Sequence, residues 1–514
     1  MNRTAQAALQ HRLQALRRDG VQQVRVGWCD LHGSLRGKTL VLGGIDDASA
    51  LTAVTDSLAA GIGMVGTVLL KDSGDRTALP VFQDAAGPAA GLVAGLFDEA
   101  AQGLLARLSG AANVLLQIDP DSLCRLPWAP DTAWLRAQAR FADGSPVSLD
   151  TRAALQRALA ALADAGFALT VGIELEFHVY RITDDGLGIE QAGWPAAAPA
   201  VRHLHAGHQL LGEAAADQAH EVLAIVRHTA LGLGLPLRSL EIELGPSQFE
   251  AVFGTLDALA AADAVVLFRN GVRQALRRAG LHASFACKPP LAHAVASGWH
   301  LHQSLRHVDA GHGGGNAFMR AAPAADVEPG DARAALSDTG AHWLAGLRAH
   351  AAGMAALCVP SLAGYGRFQG GVMAPQRAVW GFDNRGAMLR VLGRIGDAAT
   401  RIENRIAEPM ANPYLALASQ VWAGLDGVQR RLAPGPASDS PYAWSARPDA
   451  TDAADLPSSL HQALQALAAD RVLQDGLGAD LAAVFDCVKR HEIARHAAAD
   501  DPADWLAREY FARF

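Results

Sequence analysis

Four short segments of this chain alternate acids, histidines or arginines with mostly apolar residues. They are Val171–Tyr180 (VGIELEFHVY), Leu240–Glu250 (LEIELGPSQFE), Trp299–Leu305 (WHLHQSL) and Arg401–Ile406 (RIENRI). A strand sends successive side chains to opposite faces. Read as strands, the segments put Glu174, Glu176 and His178 on one face. They likewise align Glu241 with Glu243, His300 with His302, and Arg401 with Glu403 and Arg405. Isolated buried carboxylates are costly, and like charges packed together repel. A face rich in glutamate therefore needs cations, and hard divalent ions bound through carboxylate oxygens answer that need.

Each segment alone says less. Glu174 and Glu176 by themselves fit a solvated edge strand, although the opposite face of their segment is strongly apolar. A pair of imidazoles on one strand is structural about as often as functional. Glu403 and Arg405 by themselves read as a surface ion pair. Their joint occurrence in one chain is what points to a site.

The elements that must position these residues follow from the rest of the chain. Residues 1–19 read as a charged amphipathic helix ending at Gly20. Val24, Val26 and Trp28 then alternate with Arg25 and Gly27, Asp30-Leu31-His32-Gly33 offers turn chemistry, and Leu35–Val41 returns as a strand. Residues 20–125 form a small β-hairpin domain in this reading. The Pro-containing Leu126–Pro130 connects it to a catalytic domain spanning 126–514. Helices are expected over Thr151–Gly166, His220–Leu233, Leu256–Ala279 and Leu336–Leu357, and in the Ala-rich tail from about Ser458. Gly311–Asn316 (GHGGGN) reads as a surface loop. The fold class is α+β, an antiparallel sheet with helices packed on it.

Bulk properties narrow the function. The chain has 514 residues, too many for one simple core, and 50% of them are hydrophobic. A net charge of −8 argues against a nucleic-acid or membrane-surface protein. The five cysteines are scattered without a CxxC pair, which suits a reducing cytoplasm and offers no zinc framework. No signal-peptide pattern or membrane-spanning apolar run is visible.

Taken in order, the motifs resemble the glutamine synthetase superfamily over nearly the whole length. They stand as GIELEF at Gly172–Phe177, ELGPSQFE at Glu243–Glu250, GWHLHQSL at Gly298–Leu305, NRGAMLR at Asn384–Arg390 and ENRIAEPMANPYLALA at Glu403–Ala418. Weaker matches are RVGWCDLHGSLRGK at Arg25–Lys38 and FACKPP at Phe285–Pro290. The resemblance implies an N-terminal β-grasp domain and a catalytic domain with a curved antiparallel sheet flanked by helices. It implies one metal held by Glu176, Glu243 and Glu250, and a second by Glu174, His300 and Glu403. ATP contacts fall on His302, Ser304, Arg385, Arg390 and Arg401. Contacts to the acid substrate fall on Arg367 and Arg405, and Arg385 and Arg367 are the catalytic arginines. The implied cofactors are ATP and two or more Mg²⁺ or Mn²⁺ ions per site. The implied assembly is a ring-shaped homo-oligomer with active sites between subunits. Phosphorylating a carboxylate makes an acyl phosphate that an amine can attack, and metals with arginines stabilise the charge on the transferring phosphoryl group.

Three departures bear on the substrate. Glutamine synthetases carry a flap glutamate that helps deprotonate ammonium, and Met373 in GGVMAP stands there instead. The Asp-Gly-Ser-Ser segment that helps bind ammonium is missing, and the corresponding region reads AAGIGMVGT (Ala59–Thr67). The Asn-Gly that touches the acid substrate is replaced by Val295-Ala296. Met373 offers a flexible apolar surface suited to an alkyl chain or ring. The pattern resembles γ-glutamylpolyamine, γ-glutamylmethylamide and γ-glutamylanilide synthetases. The expected reaction joins glutamate to an organic amine through a γ-glutamyl phosphate. An ammonia-using glutamine synthetase is the alternative. A non-catalytic structural relative is disfavoured because all six metal-ligand positions are kept.

Overall fold

The computed structural model describes residues 1–43, 47–79, 99–308, 315–324, 326–328, 330–369, 373–442 and 454–514. The N-terminal helix Arg3–Arg18 is capped by the Asn2 side chain, which accepts from the Ala5 N–H. Next come β1 (Gln23–Cys29) and β2 (Leu35–Val41), paired antiparallel across the expected turn. Asp30 builds that turn: its Oδ1 accepts from the His32 and Ser34 N–H groups, and its Oδ2 from Arg36. Gly33 sits at φ +81°, and a Cβ there would meet the Arg269 guanidinium at 2.4 Å, so both conformation and space demand glycine.

The small sheet is completed by β3 (Ile62–Val65), β4 (Asn113–Leu126) and β5 (Ala129–Arg140), in the order β2-β1-β5-β4-β3. Here the chain differs from the sequence reading. β4 and β5 pair from Leu115 opposite Arg140 to Leu126 opposite Ala129. Leu126–Pro130 is thus the tight end of a hairpin, not a connection between domains, and the small sheet runs on to Arg140. A proline within a turn and a proline within a linker look alike in sequence.

Among the described residues, the second sheet has nine strands. Its main path is β12-β13-β14-β11-β6-β9-β8, with β7 (Ala200–Arg202) and β10 (Leu281–Ser284) pairing on β6. The long central strand β6 (Phe167–Asp184) lies between β11 (Trp299–His307) and β9 (Gln248–Asp257). β14 (Arg401–Asn404) pairs with β11 and with β13 (Leu389–Leu392), and β13 pairs parallel with β12 (Trp380–Phe382). The segment Leu240–Glu250 is two strands, not one. β8 (Leu237–Ile242) ends before Glu243, and β9 begins at Gln248. Gly245-Pro246 cannot continue a ladder, so Glu243 lies in the turn while Glu241 stays in β8.

The apolar face of β6 (Ile173, Leu175, Phe177 and Val179) is fully buried. Phe177 packs on Phe249, Phe268 and Phe285 at ring separations of 5.4–6.0 Å. The helices Thr151–Asp164 and Ala258–Arg278 cover this face. Behind them lies the helix Pro413–Arg430, whose cap Asn412 also donates to the Asp30 and Leu31 carbonyls and so ties the β1–β2 turn to the large sheet. The expected helix over Leu336–Leu357 is broken into Asp338–Ala349 and Ala351–Cys358 around His350, which ion-pairs with Asp426 and Asp470. Residues 311–314 of the expected GHGGGN loop lie outside the described residues. Among the described residues no helix is long and apolar enough to cross a membrane.

Candidate active site: an acidic sheet face closed by arginines

The polar face of the large sheet gathers the residues that alternation had aligned. Register does the gathering: His300 lies opposite Glu174, Glu176 opposite Glu250, and His302 opposite Glu403. His300 is the hub. Its Nδ1 is 3.1 Å from Glu174, 3.8 Å from Glu403 and 4.0 Å from Glu250, and its Nε2 is 3.7 Å from Glu176. His302 Nε2 lies 2.9 Å from Glu174. Glu176 Oε2 accepts from Gln248 Nε2 (3.1 Å) and from the Gly298 N–H (3.0 Å). Gly298 has to be glycine, because a Cβ there would meet Arg367 at 2.6 Å and His300 at 2.9 Å.

Electrostatics divides the carboxylates into two groups. Burial, reinforced by Glu174, Glu176 and Glu243, pushes the Glu250 carboxyl up to about 10. Burial and the charge of Glu243 raise Glu176 to about 7. Glu243 is raised as well, by burial first. Glu174 and Glu403 go the other way. Burial opposes their charge, but His300 and His302 outweigh it at Glu174, and His300 with Arg405 outweigh it at Glu403. Burial, then the charge of Arg405, pulls His300 down to about 4, so its imidazole is a neutral donor of lone pairs. Three crowded carboxylates with raised affinity for protons, beside a neutral imidazole, make a donor set that fits a hard divalent cation.

Among the described residues, two groups of side chains offer ligand atoms within 4.8 Å of one another: Glu174, Glu250 and His300, and Glu174, His302 and Glu403. Neither reproduces the partition expected from the resemblance. Glu174 belongs to both because its strand is central, and His302, expected at the nucleotide, lies in the second group.

The arginines close the cluster. Glu403 is fully buried between Arg405, which donates to its Oε1, and Arg390, which donates to its Oε2 at 2.9 Å. Arg390 also pairs with Asp383, a residue the sequence reading did not single out. Arg401 Nε lies 3.2 Å from His302 Nδ1. Arg405 Nη2 donates to the Met373 carbonyl at 3.0 Å, while its buried Nε has no partner among the described residues. Arg367 donates to the backbone carbonyls of Arg405, Ile406 and Ala407, so it fixes the end of β14. Arg385 is exposed and Ser304 half-buried. Met373 sits at φ +64°, 41% exposed, with its N–H donating to the Tyr442 hydroxyl at 2.6 Å. Tyr442 carried no charge signal; Gln248, two residues before Glu250 on β9 and so on its face, lies within ELGPSQFE but is uncharged and was not singled out.

The glutamine synthetase catalytic-domain profile matches residues 148–510. The chain belongs to the glutamine synthetase family. It is 33% identical over 506 residues to the γ-glutamylanilide synthase of an Acinetobacter species, covering 96% of this chain and 93% of that protein. It is 34% identical over 341 residues to the glutamine synthetase of Thermus thermophilus, covering 66% and 70%. A solved structure described as a GmaS/ADP complex superposes with a TM-score of 0.71 at 29% identity, covering 96% of this chain and 98% of that one. Enzymes of this family use ATP and divalent metal ions, and the chain is an ATP-dependent carbon–nitrogen ligase.

Proposed function

We propose that this ligase phosphorylates the side-chain carboxylate of glutamate and passes the acyl group to an organic amine. A carboxylate oxygen attacks the terminal phosphorus of ATP and ADP leaves. The amine nitrogen then attacks the acyl carbon, phosphate leaves, and the nitrogen gives up one proton.

One observation carries the choice of amine: Met373 lies at the edge of the cluster, its carbonyl held by Arg405, where ammonium would need an acid. A thioether cannot bind a small cation or take its proton, but it can bury carbon. The match to the γ-glutamylanilide synthase over nearly the whole of both chains supports the same reading, and the shorter match to a glutamine synthetase makes ammonia the competitor to test.

Glu174, Glu176, Glu243, Glu250, His300, His302 and Glu403 would hold two Mg²⁺ or Mn²⁺ ions, which neutralise phosphate charge when bound. The chain's own groups do the rest. Arg390 and Arg401 would face the nucleotide, with Arg385 and Ser304 beside them. Arg405, whose Nε has no partner among the described residues, would hold the carboxylate of the acid substrate. Arg367 would act by holding the carbonyls of Arg405 to Ala407. For domains, we infer a helix over 1–19, a β-grasp unit from 20 to about Arg140, and a catalytic unit beyond. A homo-oligomeric ring would set the edge strand β3, with its exposed Val65, beside a neighbour's site.

The test is phosphate release from ATP and glutamate with putrescine, spermine, ethanolamine, methylamine, an aniline and ammonium. At least one organic amine should exceed ammonium clearly in kcat/KM. Glutamine formation from ammonium as fast as amide formation from every amine tested overturns the reading.

A further inference from the structure

We propose that His178 is a positioning residue that fixes which oxygen of Glu176 faces the metal cluster. The proposal rests on the reading that Glu176 is a metal ligand. His178 shares the face of Glu174 and Glu176 on β6, yet it touches none of the reacting groups. It is fully buried, stacked on Tyr180 with ring centroids 5.8 Å apart and planes 1° from parallel.

A chain of hydrogen bonds joins it to Glu176. The Gln248 amide is oriented by its oxygen, which accepts from the Gly245 N–H at 2.8 Å. Its nitrogen must then point the other way. That nitrogen donates to Glu176 Oε2 at 3.1 Å and to Ser297 Oγ at 3.0 Å, and it also lies 3.3 Å from the Ala296 carbonyl. Because Ser297 Oγ accepts from Gln248, its own proton is free for His178 Nδ1, 3.4 Å away. The imidazole proton then sits on Nε2, which is buried without a partner among the described residues.

A buried N–H left without a partner is a cost. A phenyl ring at this position would stack on Tyr180 without it. What imidazole adds is the Nδ1 acceptor, and that acceptor locks the Ser297 hydroxyl, which in turn locks the Gln248 amide. With Gln248 and the Gly298 N–H both donating to Oε2, Oε1 remains toward His300, 3.7 Å from its Nε2. Groups behind a ligand that fix its orientation typically change metal affinity by 10- to 100-fold when removed.

The experiment titrates Mn²⁺ into the metal-free full-length protein, followed by electron paramagnetic resonance and calorimetry, with thermal melts alongside. His178→Phe should weaken Mn²⁺ binding by about 10-fold with little change in Tm. Ser297→Ala should do the same, and the double variant should be no weaker than either, because both break one chain. His178→Asn, whose amide can accept from Ser297, should recover most of the affinity. Tyr180→Phe, outside the chain, should bind as the wild type does. Wild-type affinity in His178→Phe or in Ser297→Ala, additive losses in the double variant, or no recovery in His178→Asn would each overturn the proposal. If His178→Phe does not fold, Ser297→Ala and His178→Asn decide it. Glu176→Gln separates the two levels. If it too binds Mn²⁺ normally, the metal reading fails. If it loses binding while His178→Phe does not, only the positioning role fails.

Discussion

Glu176 and Met373 border the same cluster but are held in different ways. Glu176 sits in the middle of an 18-residue strand, with β11 and β9 on either side and two donors on one oxygen. Met373 sits in irregular backbone at positive φ, fixed by two hydrogen bonds of its main chain, one to Tyr442 and one from Arg405. In the first case the fold positions a side chain. In the second it positions a backbone and leaves the side chain 41% exposed at the rim. A residue that must place charge to a fraction of an ångström suits the strand, and one that must accommodate a substrate's carbon skeleton suits the rim. Arg405 touches both, with Glu403 on one nitrogen and Met373 on another.

The largest effects should come from the acidic face, and its members should not behave alike. Glu176→Ala should lower turnover by roughly 10³-fold or more, since metal stabilisation of transferring charge is worth several kcal/mol. It should still fold, with Tm unchanged or raised, because burial, and then the charge of Glu243, disfavours this carboxylate. Glu403→Ala should lose activity and stability together. It leaves Arg390 and Arg405 buried without their shared anion, and breaking such a pair costs on the order of 3–5 kcal/mol. Equal melting temperatures for the two variants would break this distinction.

The same contrast explains what the sequence could show. Glu174, Glu176, His300, His302 and Glu403 were visible because a period of two leaves its mark in the order of residues, and pairing then made one face of four segments. Glu243 was placed on the strand face wrongly, because Gly245-Pro246 ends β8 one residue before it. The hairpin at Leu126–Pro130 was missed for a related reason: turn chemistry shows that a chain bends, not what it pairs with afterwards. Asp383 and Tyr442 act through long-range contacts that no local pattern records, while Gln248 alternates with Glu250 but, being uncharged, did not stand out. Arg367 was visible only through resemblance, and its hydrogen bonds to three consecutive carbonyls could not be inferred from its neighbours in sequence.

Arg405 tests the junction of the two regions. Arg405→Lys keeps the charge but loses the fork that spans Glu403 and Met373. The glutamate KM should rise at least 10-fold while the ATP KM changes little. An unchanged glutamate KM would remove Arg405 as the clamp on the acid substrate and leave it as a structural link.

At the rim, effects should be smaller and selective. Each methylene that an amine buries is worth about 0.8 kcal/mol, close to fourfold in kcat/KM. Met373→Glu should therefore lower kcat/KM for an apolar amine several-fold, with Mn²⁺ affinity unchanged. It should not yield an efficient glutamine synthetase, because Ala59–Thr67 still offers no acid. If Met373→Glu alters every amine equally, the rim does not read the amine.

The smallest effect should be a pH dependence that belongs to the acidic face alone. Glu176 rises from an ordinary value of 4.5 to about 7 in the folded protein, and Glu250 rises further, to about 10. A carboxyl whose pKa is higher folded than unfolded binds more protons in the folded state. Its contribution favours folding at low pH and is lost as pH rises through that window. The metal-free protein should therefore lose stability as pH rises above about 4.5. The loss should be faster up to about 7, where both groups contribute, than from 7 to about 10, where Glu250 continues alone. Mg²⁺ should restore stability increasingly over the same range, because the cation takes the place of the protons. The gap in Tm with and without Mg²⁺ should widen by a few degrees between pH 5 and pH 8. Glu176→Gln should make the part of that change below about pH 7 shallower, leaving the share of Glu250, whereas Met373→Glu, on the rim, should leave the profile as it is. A gap that stays constant with pH in the wild type would mean that the carboxylates do not compete with the metal for protons, and that the division of labour between face and rim is drawn in the wrong place.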